Sequence, residues 1–107
     1  MRRGEIYLVT RPGDDPKRHR SFVIVSRQGL IDSRFSTLVC APVFTCGQAL
    51  GSQVAIGQDE GMRYDSWIMC DNLVSVRKGE LTYFVGSLSG SKLLELDEAL
   101  RVALALE

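Results

Sequence analysis

The chain has 107 residues, 45% of them apolar, and its 13 basic and 13 acidic side chains cancel to a formal net charge of zero. This length is typical of one domain, so we expect residues 1–107 to form a single domain. No apolar run approaches the roughly 18 residues of a membrane-spanning helix and no secretory signal follows Met1, so we expect a soluble, cytoplasmic protein without a membrane partner.

Although the net charge is zero, basic and acidic residues are distributed unevenly along the chain. Residues 1–34 hold eight Lys or Arg against four acidic residues, whereas from residue 59 onward nine acidic residues face five basic ones. The basic segment, residues 1–34, includes the cluster Lys17, Arg18, His19 and Arg20. A basic N-terminal face able to attract phosphate is therefore compatible with zero net charge, although solvated surface charge would look the same.

The three cysteines do not suggest a disulfide framework or a zinc site. Cys40, Cys46 and Cys70 are an odd number, form no CxxC pair, and have only His19 as a possible nitrogen ligand. Cys40 and Cys70 lie in apolar stretches, where a free thiol packs as a small hydrophobe. We expect no metal and no cofactor.

In chain order, β-rich runs dominate the sequence up to its last fifth. Pro and Gly at positions 12 and 13 predict a turn, and loops are expected at 28–34, 45–50 and 57–65. The run Phe22–Val25 is apolar on both faces, which predicts a strand buried on both sides. Strands are predicted at residues 5–10, 21–27, 37–43, around 53–56, and at 67–71, 73–76 and 82–88.

After the last predicted strand the apolar period changes. Leu93, Leu96, Leu100 and Leu104 recur at helical spacing, and Ser89 is a plausible N-cap. Many short antiparallel strands followed by one helix predict a mainly β (α+β) fold, in which a small, strongly bent sheet or barrel is closed by the helix.

Five stretches, in order, resemble the MazF/PemK (Kid) family of toxin endoribonucleases. They are RRGEIYLV at the start, R-S-FVIVS, LVCAPVFT, DSWIMCDNLVSV, and VGSLSGSKLLELDEAL at the end. The resemblance implies a small SH3-like antiparallel β-barrel with a C-terminal helix, as in MazF and CcdB. It also implies a homodimer, a cognate antitoxin whose tail lies along the dimer groove, and metal-independent cleavage of single-stranded RNA.

Two residues match positions of this family that act on the scissile phosphate. Arg20 matches the arginine that begins the family's R-P-V-V-V-S stretch, and Thr45 matches the threonine after A-P-I or A-P-V. A guanidinium at the end of a rigid strand is well suited to clamp phosphate, because its planar fork reaches two oxygens and stays charged. Without the resemblance, Arg20 would be read as a solvated charge and Thr45 as a loop residue.

Two further catalytic candidates come with departures from the family pattern. One branch has V-R-C-D-Q where this chain has Ile68-Met69-Cys70-Asp71-Asn72, so the aspartate is kept and the arginine has become methionine. Asp71 is therefore a catalytic candidate, or else it only satisfies donors at a strand end. His19 is a candidate for the histidine that this branch carries in a G-H-E-Q motif, which the chain lacks.

The resemblance also implies a set of residues that bind RNA but take no part in the cleavage reaction. Arg11, Lys17 and Arg18 are assigned to this set, with Ser21, which stands where the family usually has proline. Phe44 and Trp67 could stack on bases, but single aromatic residues in β-rich stretches more often pack in the core or in an interface.

Two other functions stay open at the level of sequence. One is a CcdB-like toxin that poisons DNA gyrase by protein contact, which the methionine at position 69 and the zero net charge would favour. The other is a catalytically degenerate relative kept for antitoxin binding.

Overall fold

The structure is a computed structural model that describes residues 1–9 and 20–106. Seven antiparallel strands form one curled sheet, which a C-terminal helix covers. The strands are β1 (Glu5–Val9), β2 (Arg20–Ile24), β3 (Thr37–Phe44), β4 (Gln53–Ile56), β5 (Ser66–Met69), β6 (Val74–Arg77) and β7 (Tyr83–Ser87). The helices are α1 (Gln28–Ile31) and α2 (Gly90–Leu104).

The sheet runs in the order β4-β5-β3-β2-β1-β7, and β6 also pairs with β3. The first half of β3, up to Cys40, pairs with β6, and its end, from Val43, pairs with β5. Pro42 lies between these two partners on one side of β3, and on the other side it is opposite Phe22 of β2. The strand continues to Phe44, two residues past the proline.

Strand β2 is buried on both faces and lies between two apolar clusters. Val23 and Ile24 are both fully buried, yet they belong to different clusters, because consecutive side chains of a strand point to opposite faces. Val23 packs in the cluster that contains Leu96 and Ala99 of α2. Ile24 packs in the cluster that contains Ile31 of α1. The prediction of a strand buried on both sides is confirmed.

The predicted helix is confirmed over Gly90–Leu104, and so is its cap. The Ser89 hydroxyl accepts a hydrogen bond from the Lys92 backbone N–H at 3.3 Å. Leu96 and Ala99 are the buried residues of α2, as an amphipathic helix requires. None of the described helices has the length and apolar character needed to cross a membrane.

The loop predicted at residues 28–34 is wrong in part, because Gln28–Ile31 form the short helix α1. Ile31 is its buried residue, and the Lys78 ammonium binds the carbonyl of Leu30 at 3.1 Å and that of Ser33 at 2.7 Å. Strand β2 also ends at Ile24, earlier than predicted. The bonds that fix this segment come from a residue 48 positions away, so local sequence gave no sign of them.

Candidate functional site

Arg20 is the first residue of β2, and its side chain is exposed. Phe22 pairs with Pro42, so continuing this register by two residues sets Arg20 opposite Phe44 of β3. The guanidinium carbon lies 4.1 Å from the centroid of the Phe44 ring, which is a cation–π contact. In the part of the chain that the structure describes, no carboxylate pairs with Arg20. Among the described residues, its charge is therefore oriented by a ring and not neutralised by a carboxylate.

Beside Arg20 is a concavity of about 350 Å³ between the end of β3 and the end of β5. Its described lining is Phe44, Thr45, Cys46, Met69 and Asn72. Thr45 follows β3 directly and is exposed. Phe44 belongs to both features, since its ring carries the guanidinium and also lines the concavity. Two of the catalytic candidates, Arg20 and Thr45, are thus linked through Phe44, which contacts the first and precedes the second in the chain.

Asp71 lies in a one-turn 3₁₀ helix, Cys70–Asn72, which follows β5. Its carboxylate accepts a hydrogen bond from the hydroxyl of the buried Ser52 at 2.6 Å. The adjacent residues Met69 and Asn72 line the concavity, whereas Asp71 is outside its lining. The structure therefore gives Asp71 a side-chain donor as its partner and sets it next to the concavity.

The loop between β3 and β4, residues 45–52, is fastened to this region at several points. The Cys70 N–H donates to the Ser52 carbonyl at 3.1 Å, and the Gln48 N–H donates to the Gln53 side chain at 3.0 Å. The backbone at Gly47 lies against the indole of Trp67 so closely that a Cβ there would overlap the ring. Trp67 thus serves as a platform for this loop, and Thr45 starts a segment of fixed path.

Several of the predicted site residues are not brought into this concavity. Ser21 is next to Arg20 in β2, so strand alternation directs its side chain to the opposite face. His19, Arg18, Lys17 and Arg11 lie outside the described residues. The sequence analysis assigned no site role to Cys46, Asn72 or Ser52. Only the β3–β5 and β4–β5 registers bring these residues together, and no local pattern marks them.

The cysteines confirm the packing interpretation for two of the three thiols. Cys40 and Cys70 are buried, and Cys46 is exposed. Burial raises the pKa of the Cys40 thiol from 9.0 to about 12. Burial, followed by the charge of Asp71, raises the pKa of Cys70 to about 11. Both stay protonated and unreactive near neutral pH. Within the described residues, no three His, Cys, Asp or Glu side chains are grouped as metal ligands.

A second concavity, of about 560 Å³, lies beside β4 and β5 and is larger than the first. Asp59, Asp65 and Glu60 line it, with Lys92 as a cation. The Lys92 ammonium is already engaged, by the Ala55 carbonyl at 2.7 Å and by Glu95 at 3.3 Å. Carboxylates repel phosphate, so the surface at Arg20, next to the smaller concavity, is the better candidate for the phosphates of a polyanionic substrate.

Comparison with known proteins gives one family and a set of similar folds. A family model described as PemK-like, MazF-like toxin of type II toxin–antitoxin system matches residues 2–104. No curated protein matches the chain.

Among solved structures, a Mycobacterium tuberculosis toxin MazF-mt6 is 22% identical, with a TM-score of 0.83 over 96% of this chain and 98% of that one. An endoribonuclease in complex with its cognate antitoxin, from a mycobacterial species, is 21% identical, with a TM-score of 0.85 over 100% and 97%. A MazE–MazF complex from Deinococcus radiodurans is 13% identical, with a TM-score of 0.74 over 99% and 95%. At these identities the likeness establishes the fold.

Proposed function

The chain belongs to the PemK-like, MazF-like family of toxins of type II toxin–antitoxin systems, and from this premise we propose that it is an endoribonuclease that cleaves single-stranded RNA without a metal. The observation that supports this proposal is the Arg20 guanidinium on the ring of Phe44, the residue before the exposed Thr45, with no carboxylate partner among the described residues. A fixed cation and a hydroxyl can stabilise the charge that develops on a phosphodiester during in-line attack.

In the proposed reaction the ribose 2′-oxygen attacks the adjacent phosphorus. A 2′-oxygen–phosphorus bond forms and the bond from phosphorus to the 5′-oxygen breaks, which leaves a 2′,3′-cyclic phosphate and a 5′-hydroxyl. One group must take the 2′ proton and another must protonate the leaving oxygen. Arg20 stabilises the charge that grows on the non-bridging oxygens, and Thr45 donates a hydrogen bond to the same phosphate.

Proton transfer is assigned to Asp71 and His19 as the remaining catalytic candidates. Asp71 accepts a bond from Ser52, which keeps its carboxylate in one orientation next to the concavity. His19 directly precedes Arg20 in the chain, and an imidazole exchanges protons near neutral pH. Arg11, Lys17 and Arg18 would attract the RNA backbone electrostatically, as the basic segment 1–34 suggests.

The proposal extends to partners. Two of the three structural neighbours described above are complexes, one of an endoribonuclease with its cognate antitoxin and one of MazE with MazF. We therefore propose that this chain forms a homodimer and is inhibited by its own antitoxin in the cytoplasm. Growth arrest in cells would then follow from cleavage of messenger RNA and loss of translation.

The test is cleavage of mixed-sequence RNA in excess EDTA by the wild-type protein and by Arg20→Ala, with the ends of the products mapped. We expect discrete cuts with 5′-hydroxyl ends, and a loss of roughly 100-fold or more in the variant, because a preorganised charge at the transition state is removed. Stability should change little, since an exposed cation–π contact is worth about 0.5–1 kcal/mol.

The matched control is Arg34→Ala, which removes the same charge from an exposed position after α1. Equal cleavage by Arg20→Ala and the wild type would remove Arg20 from the mechanism. Intact RNA together with growth arrest would instead favour the protein-binding toxin of the gyrase-poison type.

A further inference from the structure

The concavity beside Arg20 differs chemically from the phosphate clamp next to it. Of its described lining, Phe44, Cys46 and Met69 are apolar, while Thr45 and Asn72 are polar and uncharged. A pocket without charge that is walled by an aromatic ring and a thioether does not favour a phosphate group. It suits a flat group that is apolar on its faces and polar at its edge, which describes a nucleobase.

The position of the concavity fits this ligand. Phe44 lines it and also holds the Arg20 guanidinium at 4.1 Å from its ring centroid. A nucleotide whose phosphate is bound by Arg20 therefore has its own base, or the neighbouring one, within reach of the concavity. Met69 adds a polarisable thioether, which makes favourable contacts with aromatic rings.

Asn72 supplies the polar group that such a pocket needs. It is exposed, it lines the concavity, and in residues 1–9 and 20–106 no hydrogen bond engages its amide. The 3₁₀ turn that carries it is fixed through the Ser52–Asp71 hydrogen bond and through the Cys70 N–H, which binds the Ser52 carbonyl. An amide offers a donor next to an acceptor, and adenine is the base that asparagine pairs with most readily in two hydrogen bonds.

We propose that this concavity binds the base next to the cleaved phosphate, and that Asn72 selects adenine there. The proposal rests on the ribonuclease activity proposed above and adds a specificity-determining residue to it. Met69 and Phe44 contact the faces of the base, and the Asn72 amide binds its edge. The residue that departs from the family arginine, Met69, becomes part of the wall for the base.

The experiment uses three substitutions at one position. Cut sites in mixed-sequence RNA are mapped for the wild type and for Asn72→Asp, Asn72→Ser and Asn72→Gln. Binding to single-stranded oligonucleotides with 2′-O-methyl ribose, which cannot be cleaved, is measured in parallel, with the base on either side of the target phosphate varied among all four. The readout is the ranking of the bases, which a general change in affinity does not alter.

In the wild type we expect adenine to be preferred at one of these positions, by roughly 5- to 150-fold. A carboxylate only accepts hydrogen bonds, so Asn72→Asp should turn the preference toward guanine, which presents two adjacent donors. Asn72→Ser should lose the adenine preference without gaining guanine, and Asn72→Gln should retain it. Gln58→Glu, the same amide-to-carboxylate change at an exposed site elsewhere, should leave the ranking unchanged.

The two proposals fail in different ways. If the wild type cuts RNA and the Asn72 variants keep its base ranking, the base pocket is wrong and the ribonuclease proposal stands. If the wild type cuts no RNA, the ribonuclease proposal fails, and the binding measurements with 2′-O-methyl oligonucleotides then test the base pocket by themselves. A base ranking that Asn72→Asp reverses would support the pocket, and binding that is absent or indifferent to the base would overturn it.

Discussion

Arg20 rests on an aromatic ring, and a ring orients a guanidinium in a different way from an ion pair. A carboxylate partner would neutralise the guanidinium and compete with phosphate for its five N–H donors. The Phe44 ring attracts the cation through its face and does not itself occupy those donors. The ring therefore orients the guanidinium without competing with phosphate for its N–H groups.

Substitution of Phe44 by leucine tests this role. The change keeps an apolar wall but removes the face on which the guanidinium rests, so we expect cleavage to fall by roughly 2- to 5-fold, the equivalent of an exposed cation–π contact. Single-turnover cleavage of a defined oligonucleotide would measure it. If leucine cleaves as fast as phenylalanine in both the wild-type and Arg20→Lys backgrounds, the ring does not position the cation.

At the scale of elements, the loop 45–52 and the turn Cys70–Asn72 behave as one unit. The Ser52 hydroxyl donates to Asp71 at 2.6 Å, and the Ser52 carbonyl accepts from the Cys70 N–H at 3.1 Å. Ser52 is 6% exposed, so its hydroxyl has little access to water as an alternative partner. The loop that begins with Thr45 is thereby joined to the turn that presents Asn72.

Ser52→Ala should loosen this connection. The loss of a buried hydroxyl that binds a carboxylate costs about 1–3 kcal/mol, and we expect the lower end because Asp71 is exposed. The melting temperature should then fall by several degrees. A double-mutant cycle with Asp71→Asn measures the interaction free energy between Ser52 and Asp71 separately from the effect of each substitution alone. Additive effects of the two substitutions would mean that the hydrogen bond contributes nothing.

Element positions were largely predictable, whereas the contacts between elements were not. The burial of β2 on both faces and the cap of α2 at Ser89 follow from runs and spacings inside one segment, and both predictions are confirmed. The helix α1 was missed because its last carbonyls are bound by Lys78, 48 residues away from Leu30. Local propensity cannot report a partner that is supplied by another part of the chain.

At the scale of the whole molecule, the buried thiols predict a loss of stability in alkali. Burial raises the pKa of Cys40 to about 12 and, with the charge of Asp71, that of Cys70 to about 11, and burial also raises the pKa of Tyr7. Above pH 9 the unfolded chain releases thiol protons that the folded chain retains. The folded state then binds more protons, so the free energy of unfolding falls as pH rises from about 9 toward 12.

Urea unfolding at several pH values between 8 and 11 would measure this slope. Cys40→Ala should make the slope shallower, because one buried thiol no longer contributes. Cys46→Ala is the matched control: this thiol is exposed, and the slope should stay as in the wild type. Equal slopes in all three proteins would show that the buried thiols do not control alkaline unfolding.

The proposed dimer is also a property of the whole molecule. Sedimentation velocity at micromolar concentration should give one species of twice the chain mass of 11.9 kDa. A purified antitoxin should shift it to a larger complex and block cleavage. A monomer under these conditions would contradict the model in which the antitoxin lies in a groove between two subunits.

The sequence by itself determined the order of the strands and the helix, the buried faces, and the family, because each depends on residues close together in the chain or on motifs in a fixed order. It also singled out Arg20 and Thr45, one by one. The tertiary structure decided what surrounds them: the Phe44 ring under the guanidinium, the Ser52 donor to Asp71, and the concavity shared with Met69 and Asn72. These contacts join residues 19 to 28 positions apart, and the register of a curled sheet, which no local pattern encodes, sets each of them.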